Sequence, residues 1–220
     1  MTTEARIPLS RERVLRAAVE LADEHGLRAL TMRRLAEELG AEAMSLYYHV
    51  AKKEDVLDGI VDVVAQEINN AVARLSPGPD WKQAVRSRIL TAREVFLRHR
   101  WAPELFETRS SKSLAVLHYY DALVGRLHDG GFSYDLIHHA LHALGSRALG
   151  FSQELFDPAA GDSTDVPAEL AAQLPNLVGM LSEIAHDDPA STLGWCDDQT
   201  EFEFGLDVIL DGLDRLRDQS

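Results

Sequence analysis

Residues 31–53 read TMRRLAEELGAEAMSLYYHVAKK, and this stretch decides the fold. Two short amphipathic segments meet at Gly40, which can adopt the positive φ of a tight turn because it has no Cβ. Ala36 is small enough for the second segment to pack closely, and Leu46 supplies an apolar contact that seals the pair. The spacing of these three residues is typical of a helix-turn-helix, whose second short helix fits the major groove of DNA. A small helical bundle that has this spacing by chance is the alternative.

Helical periodicity continues over the rest of the chain, and period-2 alternation never persists, so the sequence predicts an all-α fold. Ser10 and Thr31 are predicted N-caps, and Gly26 and Gly40 are predicted to end the first two helices. The further predicted helices cover about residues 43–49, 53–74, 81–99, 102–108, 112–129, 134–155, 169–186 and 199–217.

Charge is distributed unevenly along the 220 residues, whose net charge is −14. Residues 1–53 hold nine Lys or Arg and eight Asp or Glu, whereas the remainder holds thirteen and twenty-eight. Phosphate would repel such an acidic body, so any contact with DNA is expected in the N-terminal part.

Other features favour a cytoplasmic protein. Cys196 is the single cysteine, so no disulfide within the chain is expected, which fits a reducing compartment. Residues 1–8 lack the apolar core of a signal peptide, and charged residues interrupt every long apolar stretch, so no membrane span is expected.

Residues Ser10–Ile60 resemble the DNA-binding domain of TetR-type regulators. The resemblance rests on LYYHVAKKEDVLDGI, residues 46–60, where leucine, tyrosine, an aromatic residue, histidine and an apolar residue precede a basic residue that opens a long helix. It implies that Leu46 and Val50 are core and that Lys52 is peripheral. It also implies that Thr31, Arg33, Tyr47, His49 and Lys53 contact or support phosphates, and that Ala43, Met44, Ser45 and Tyr48 face base edges.

The rest of the chain is similar, more loosely, to the C-terminal domain of the tetracycline-repressor branch. The similarity lies in ETRS at 107–110, GGFS at 130–133, ALGSRALGFSQE at 143–154 and FEFGLDVILDGLDRL at 202–216. It implies a three-helix head, residues 1–52, joined by a long helix to a helical ligand-binding and dimerisation domain, residues 53–220. Each subunit of the homodimer is expected to hold a cavity for a small-molecule effector.

The same resemblance implies the residues of that cavity. For each of them a structural role, as a solvated, core or surface-paired side chain, stays equally open. The residues are Asn69, Arg88, Ala92, Leu105, Arg109, Tyr120, Leu123 and Glu154, together with Leu177 and Leu181, for which either the same or the partner subunit is open as the source.

Metal chemistry is not expected here. Tetracycline-binding members hold a drug-borne magnesium ion with histidines, and the matching positions are Leu105 and Ser146, which cannot replace imidazole. His138 and His142 stand four apart on one predicted helix but lack a third ligand, so a solvated or interface position is favoured. The expected effector is a sizeable, partly apolar organic molecule, with no metal and no cofactor.

The last predicted helix carries apolar residues at alternating steps of four and three, which predicts a pairing face. This stripe comprises Phe202, Leu206, Ile209, Leu213 and Leu216, with Phe204, Val208 and Leu210 as a second margin. Helix 134–155 offers Ile137, Leu141, Leu144, Ala148 and Phe151. A homodimer through helices 134–155 and 199–217 is therefore predicted; the alternative is that the stripe packs within its own subunit.

Together these patterns predict a DNA-binding transcriptional repressor that an organic effector releases from its operator. An activator of the same architecture, and a helical ligand-binding protein or enzyme without DNA function, remain alternatives. The enzyme alternative is disfavoured because the sequence contains no P-loop, dinucleotide fingerprint or nucleophile elbow.

Overall fold

The computed structural model describes residues 8–76, 78–109, 113–150, 173–176, 178–179 and 198–218. Within these ranges all regular structure is helical, as predicted, and no helix is both long and apolar enough to cross a membrane. The helices are α1 (Arg11–His25), α2 (Met32–Glu38), α3 (Ala43–Leu46), α4 (Lys53–Val72), α5 (Trp81–Arg98), α6 (Ala102–Thr108), α7 (Leu114–Asp129), α8 (Tyr134–Leu149) and α9 (Asp198–Arg217), with a short 3₁₀ turn at Leu27–Ala29.

The predicted helix caps in the N-terminal region are confirmed. The hydroxyl groups of Ser10 and Thr31 each accept a hydrogen bond from the backbone N–H three residues later, at 3.2 Å in both cases. Gly26 ends α1 with φ 75°, and Gly40 follows α2 with φ 60°. These positive φ values explain why glycine stands at both positions.

Several helix ends differ from the predicted bounds. Helix α3 ends at Leu46 rather than near residue 49, because the N–H groups of His49 and Val50 both bond to the Leu46 carbonyl in a closing turn. Helix α7 begins at Leu114 instead of residue 112, and α8 ends at Leu149. Residues 151–155 of the predicted helix 134–155, and nearly all of 169–186, lie outside the described residues.

One hydrophobic core joins the N-terminal helices to α4, α5 and α6. Val14, Leu35, Leu46 and Ile60 are all fully buried in it. At Gly59 an added Cβ would lie 2.4 Å from the nearest side-chain atom of α1, so glycine lets α1 and α4 approach closely. Because this core runs through residue 52 without a break, the division of the chain into residues 1–52 and 53–220 stays a prediction.

A second core lies between α5, α7, α8 and α9, and it corrects part of the predicted pairing face. Phe202, Leu206 and Leu213 of the predicted stripe are buried within their own chain. The outward side of α9 instead carries Phe204 and Val208, which are 67% and 53% exposed. The sequence shows two apolar sides on α9. The apolar residues of α5 and α8 in the same chain determine which of these sides is buried.

Ion pairs fix the rotation of α9 against α5. The Arg86 guanidinium donates to Asp207 and to Glu203, with N···O distances of 2.7 Å each, and Lys82 pairs with Asp211. The hydrogen bonds to Asp207 and Glu203 raise the pKa of Arg86. Hydrogen bonds from Gln199 and then from Arg86 lower the pKa of Glu203. The carboxylates share one face of α9, so the helix cannot rotate without breaking several pairs.

Candidate nucleic-acid interface and ligand cavity

The second helix of the helix-turn-helix presents an exposed apolar and aromatic surface. Tyr48 is 89% exposed and Met44 is 70% exposed, and Tyr47 is also exposed. The predicted core residues Leu46 and Val50 are buried beneath them, which confirms the inward face. The remaining residues predicted to meet or support DNA on this element, Ala43, Ser45 and His49, are partly exposed.

The flanking predicted phosphate contacts are held by local hydrogen bonds. Thr31 caps α2, and the exposed Arg33 pairs with Glu37 at 2.9 Å. Lys53 begins α4 and is partly exposed. The Asp55 carboxylate accepts hydrogen bonds from the two backbone N–H groups before Lys53, at 3.0 and 3.2 Å. This cap fixes the direction in which α4 leaves the candidate DNA-binding surface.

A pocket of about 590 Å³, open space at its mouth included, lies between α4, α5, α6, α7 and α8. Its walls are almost entirely aliphatic and aromatic. Phe96 and Phe106 meet edge to face inside it, with ring centroids 5.1 Å apart. We call this space the apolar cavity. Its lining suits an organic molecule with a large apolar surface.

Two phenols supply the polar groups of this lining. Burial raises the pKa of Tyr119 to about 12 and also raises the pKa of Tyr120. Both side chains are therefore neutral near pH 7 and can donate or accept one hydrogen bond. No Asp, Glu, Lys, Arg or His belongs to the described lining, so the cavity favours neutral ligand groups.

The structure brings some of the predicted ligand residues together and places others elsewhere. Ala92, Tyr120 and Leu123 line the apolar cavity. Leu105 is 7% exposed and packs in the first core, outside the described lining. Glu154, Leu177 and Leu181 lie outside the residues that can be described.

Two predicted ligand residues connect helices instead of lining the cavity. The Asn69 amide donates to the Ala115 carbonyl at 2.8 Å and so joins α4 to α7. Arg109, just after α6, donates to Asp58 of α4 at 2.6 Å and to the Glu54 carbonyl at 3.3 Å. Both residues therefore bind α4 to its neighbours, and neither belongs to the described lining.

Sequence reasoning missed several lining residues, including Phe96, Phe106, Tyr119 and Gly145. Their helical spacing marks an inward face, but a cavity wall and a filled core have the same periodicity. Gly145 gave the best available signal, since glycine inside a helix costs about 1 kcal/mol relative to alanine. An added Cβ at Gly145 would meet nothing within 4 Å.

The two histidines considered as metal ligands face one another on α8. The rings of His138 and His142 have centroids 4.7 Å apart, and both residues are exposed. Among the described residues, no group of three His, Cys, Asp or Glu side chains could hold a metal ion.

Comparison with known proteins gives two family matches. Residues 14–60 match the model of bacterial regulatory proteins of the tetR family, and residues 76–217 match the tetracyclin repressor-like C-terminal domain. An HTH-type transcriptional regulator from Saccharopolyspora erythraea is 43% identical over 101 residues, which are 46% of this chain and only 42% of that protein. The HTH-type transcriptional repressor DrrR1 from Streptomyces coeruleorubidus is 31% identical over 94% of this chain and 78% of its own.

A similar solved structure is that of the Streptomyces coelicolor TetR family protein ActR in complex with actinorhodin. It is 27% identical, has a TM-score of 0.70, and the match covers 94% of this chain and 97% of that one. Since the C-terminal model alone spans 142 of the 220 residues, the chain belongs to the TetR family of bacterial regulatory proteins, with a tetracycline-repressor-like C-terminal domain.

Proposed function

We propose that this protein is a dimeric transcriptional repressor whose operator affinity falls when a small, partly apolar organic molecule enters the apolar cavity. The exposed surface of α3 and the following turn binds the major groove, with Tyr48 and Met44 toward base edges. Lys53 and Tyr47 contact phosphates. The similarity to a named repressor supports repression over activation.

The observation that carries this proposal is the position of α4. Lys53 begins this helix beside the candidate DNA-binding surface, and Ala65 and Ile68 line the apolar cavity. Lys53 and Ile68 are about 22 Å apart along the helix axis, at about 1.5 Å per residue. A ligand that displaces the cavity end of α4 therefore moves the DNA-binding end, because a packed helix shifts as a body.

Helix α6 provides a second connection between the two sites. Phe106 lines the apolar cavity, and Arg109, one residue past the end of α6, holds Asp58 and the Glu54 carbonyl in the first turns of α4. Movement of Phe106 by a bound ligand pulls on this ion pair. Ligand binding thus acts on α4 near both of its ends.

Dimerisation places two DNA-binding surfaces on one operator. The outward side of α9, with Phe204 and Val208, together with the exposed side of α8, forms the proposed pairing face. Two recognition helices bind together when they lie about one duplex turn apart, about 34–36 Å. A shift of a few ångströms per subunit breaks that match while each subunit stays folded.

The DNA-binding proposal is tested with a gel shift on the protein's own upstream DNA. Lys53→Ala should weaken binding to every sequence and reduce the salt slope by about one. Lys52→Ala is the matched control, because Lys52 is the adjacent exposed lysine with no proposed contact. Equal binding by both variants and the unmutated protein would contradict the assignment of this surface.

The cavity proposal is tested with N-phenylnaphthylamine, a neutral apolar fluorophore. It should bind the unmutated protein and lose binding in Gly145→Leu, whose side chain extends into the cavity. Gly145→Ala, which adds a single methyl group, is the control. If this probe or an identified effector weakens operator binding, operator must weaken its binding by the same factor. An effector affinity that is unchanged by operator would rule the mechanism out.

A further inference from the structure

A second pocket lies at the other end of α4, where it meets α5 and α7. It measures about 400 Å³, open space included, and is lined by Val72, Ser76, Gly78, Ser87, Arg88 and Arg126, among others. We call it the arginine pocket. Gly78 allows the loop before α5 to pack tightly, because an added Cβ would lie 2.9 Å from the Ala84 backbone nitrogen.

Among the described residues, Arg88 has no acidic partner in this pocket. Its guanidinium lies over the Tyr119 ring, 5.0 Å from the centroid. Its Nε is buried and has no hydrogen-bond partner among the described residues. A buried guanidinium N–H group without an acceptor lowers the stability of the folded protein. The site therefore suits a bound group that accepts a hydrogen bond from the Nε of Arg88.

A second cation faces the same space. Arg126 belongs to the described part of the lining, which contains no acidic side chain. Desolvation lowers the pKa of Arg88, the Tyr119 ring opposes this, and the nearby charge of Arg126 lowers it further. Two positive groups thus repel one another across a cavity in a chain whose net charge is −14. Elsewhere in the described body, Arg86 and Arg109 are paired with carboxylates.

Hydroxyl groups complete a set of donors. Ser87 accepts a hydrogen bond from the Gln83 amide at 3.3 Å, which leaves its own O–H free to donate, and Ser76 lines the pocket. Two guanidinium groups and two hydroxyl groups match the acceptors of an oxyanion, and arginine forms charge-assisted bonds to carboxylate and phosphate oxygens.

We propose that the arginine pocket binds the carboxylate or phosphate group of a small molecule, held by Arg88 and Arg126. This site is distinct from the apolar cavity, but Tyr119 belongs to the cavity wall and carries Arg88 on its ring. An anion in the arginine pocket relieves the repulsion between the arginines and accepts the Nε hydrogen bond of Arg88.

The experiment titrates the full-length protein with acetate and, separately, with inorganic phosphate, by isothermal calorimetry at constant ionic strength and without DNA. Arg88→Gln should weaken binding of the preferred anion at least about tenfold, because the substitution removes a charge-assisted contact. Arg126→Gln should weaken it less, because Arg126 is more exposed. Arg100→Gln is the matched control, since it removes one exposed charge outside the pocket.

Thermal unfolding separates loss of the site from loss of the fold. Arg88→Gln without anion should unfold at the same or a higher temperature, whereas the preferred anion should raise the Tm of the unmutated protein and not that of Arg88→Gln. Tighter acetate binding identifies a carboxylate site, and tighter phosphate binding a phosphate site. The proposal is overturned if neither anion binds saturably, or if all three variants bind alike. Such a failure leaves the operator and cavity tests unaffected.

Discussion

A buried histidine joins α1 to the ends of α4 and α5, and its removal should destabilise this junction. His99 directs Nδ1 at both carboxylate oxygens of Asp23, at 2.9 and 3.0 Å, and Nε2 at Glu67, at 3.1 Å. Trp101 donates to the same Asp23 at 2.6 Å. The two ring nitrogens thus connect Asp23 of α1 to Glu67 of α4.

The size of the effect follows from the exposure of the partners. The side chains of His99 and Asp23 are 10% and 28% exposed, and a hydrogen bond to a carboxylate in such a place contributes about 1.5–3 kcal/mol. The Glu67 side chain is 39% exposed, so its contact adds less than about 1 kcal/mol. A glutamine amide at position 99 cannot contact both carboxylates as the ring does, so His99→Gln should lower the free energy of unfolding by about 2 kcal/mol. For a chain of this size that lowers Tm by about 4–8 °C.

The assay is thermal unfolding at matched protein concentration, with Arg100→Gln as the control at the adjacent exposed position. A double-mutant cycle with Asp23→Asn should give a coupling of about 1 kcal/mol or more, because the two side chains are in direct contact. Additive effects within about 0.5 kcal/mol, or a Tm change in His99→Gln no larger than that of the control, would refute the reasoning.

The junction also gives a pH dependence with a defined sign. Partial burial acts to raise the pKa of Glu67, but hydrogen bonds from Arg98 and His99 outweigh it, so the folded pKa lies below the ordinary 4.5. A lowered carboxyl pKa stabilises the folded state above the unfolded value, and this contribution is lost as pH falls through the folded value. Unfolding below pH 4.5 should therefore be less steep in His99→Gln; an identical acid profile would count against the contact.

Three further predictions concern packing. Gly59→Ala should lower the free energy of unfolding by about 1–3 kcal/mol, because the new methyl group meets Leu15 at 2.4 Å in a filled core; denaturant titration measures this. Val208→Glu should yield a folded monomer in sedimentation, whereas Leu213→Glu should unfold the chain because this position is only 6% exposed. A dimeric Val208→Glu protein would exclude the proposed pairing face. Gly145→Ala should raise the free energy of unfolding by about 0.5–1 kcal/mol, because alanine favours the helix and its Cβ has room; a loss of stability in urea titration would contradict this.

Local features of the fold could be read from the sequence because their causes lie within a few residues. Ser10 and Thr31 cap helices through hydroxyl groups that reach a backbone N–H three residues away. Gly40 takes the positive φ that its position demands. The apolar periodicity around Leu46 and Val50 marked the buried side of the helix-turn-helix correctly.

The sequence also identified the candidate DNA-binding surface. The segment LYYHVAKK, residues 46–53, combines a buried leucine with exposed aromatic and basic residues. Which of these side chains touch DNA stays a prediction. The cavity was less accessible to sequence reasoning: three predicted lining residues, Ala92, Tyr120 and Leu123, lie in its wall, but an apolar helix face looks alike whether it meets a filled core or an empty space.

Tertiary structure alone decided which groups meet across long separations. Arg109 pairs with Asp58, 51 residues away, and His99 with Asp23, 76 residues away. Periodicity shows which residues share a face of a helix but not what that face contacts. Phe202 is buried and Phe204 is exposed because the apolar residues of α5 and α8 pack against the Phe202 side of α9. The position of Arg88 has the same cause, because only the assembled helices leave its guanidinium beside Tyr119 and Arg126 with no carboxylate from the described part of the chain.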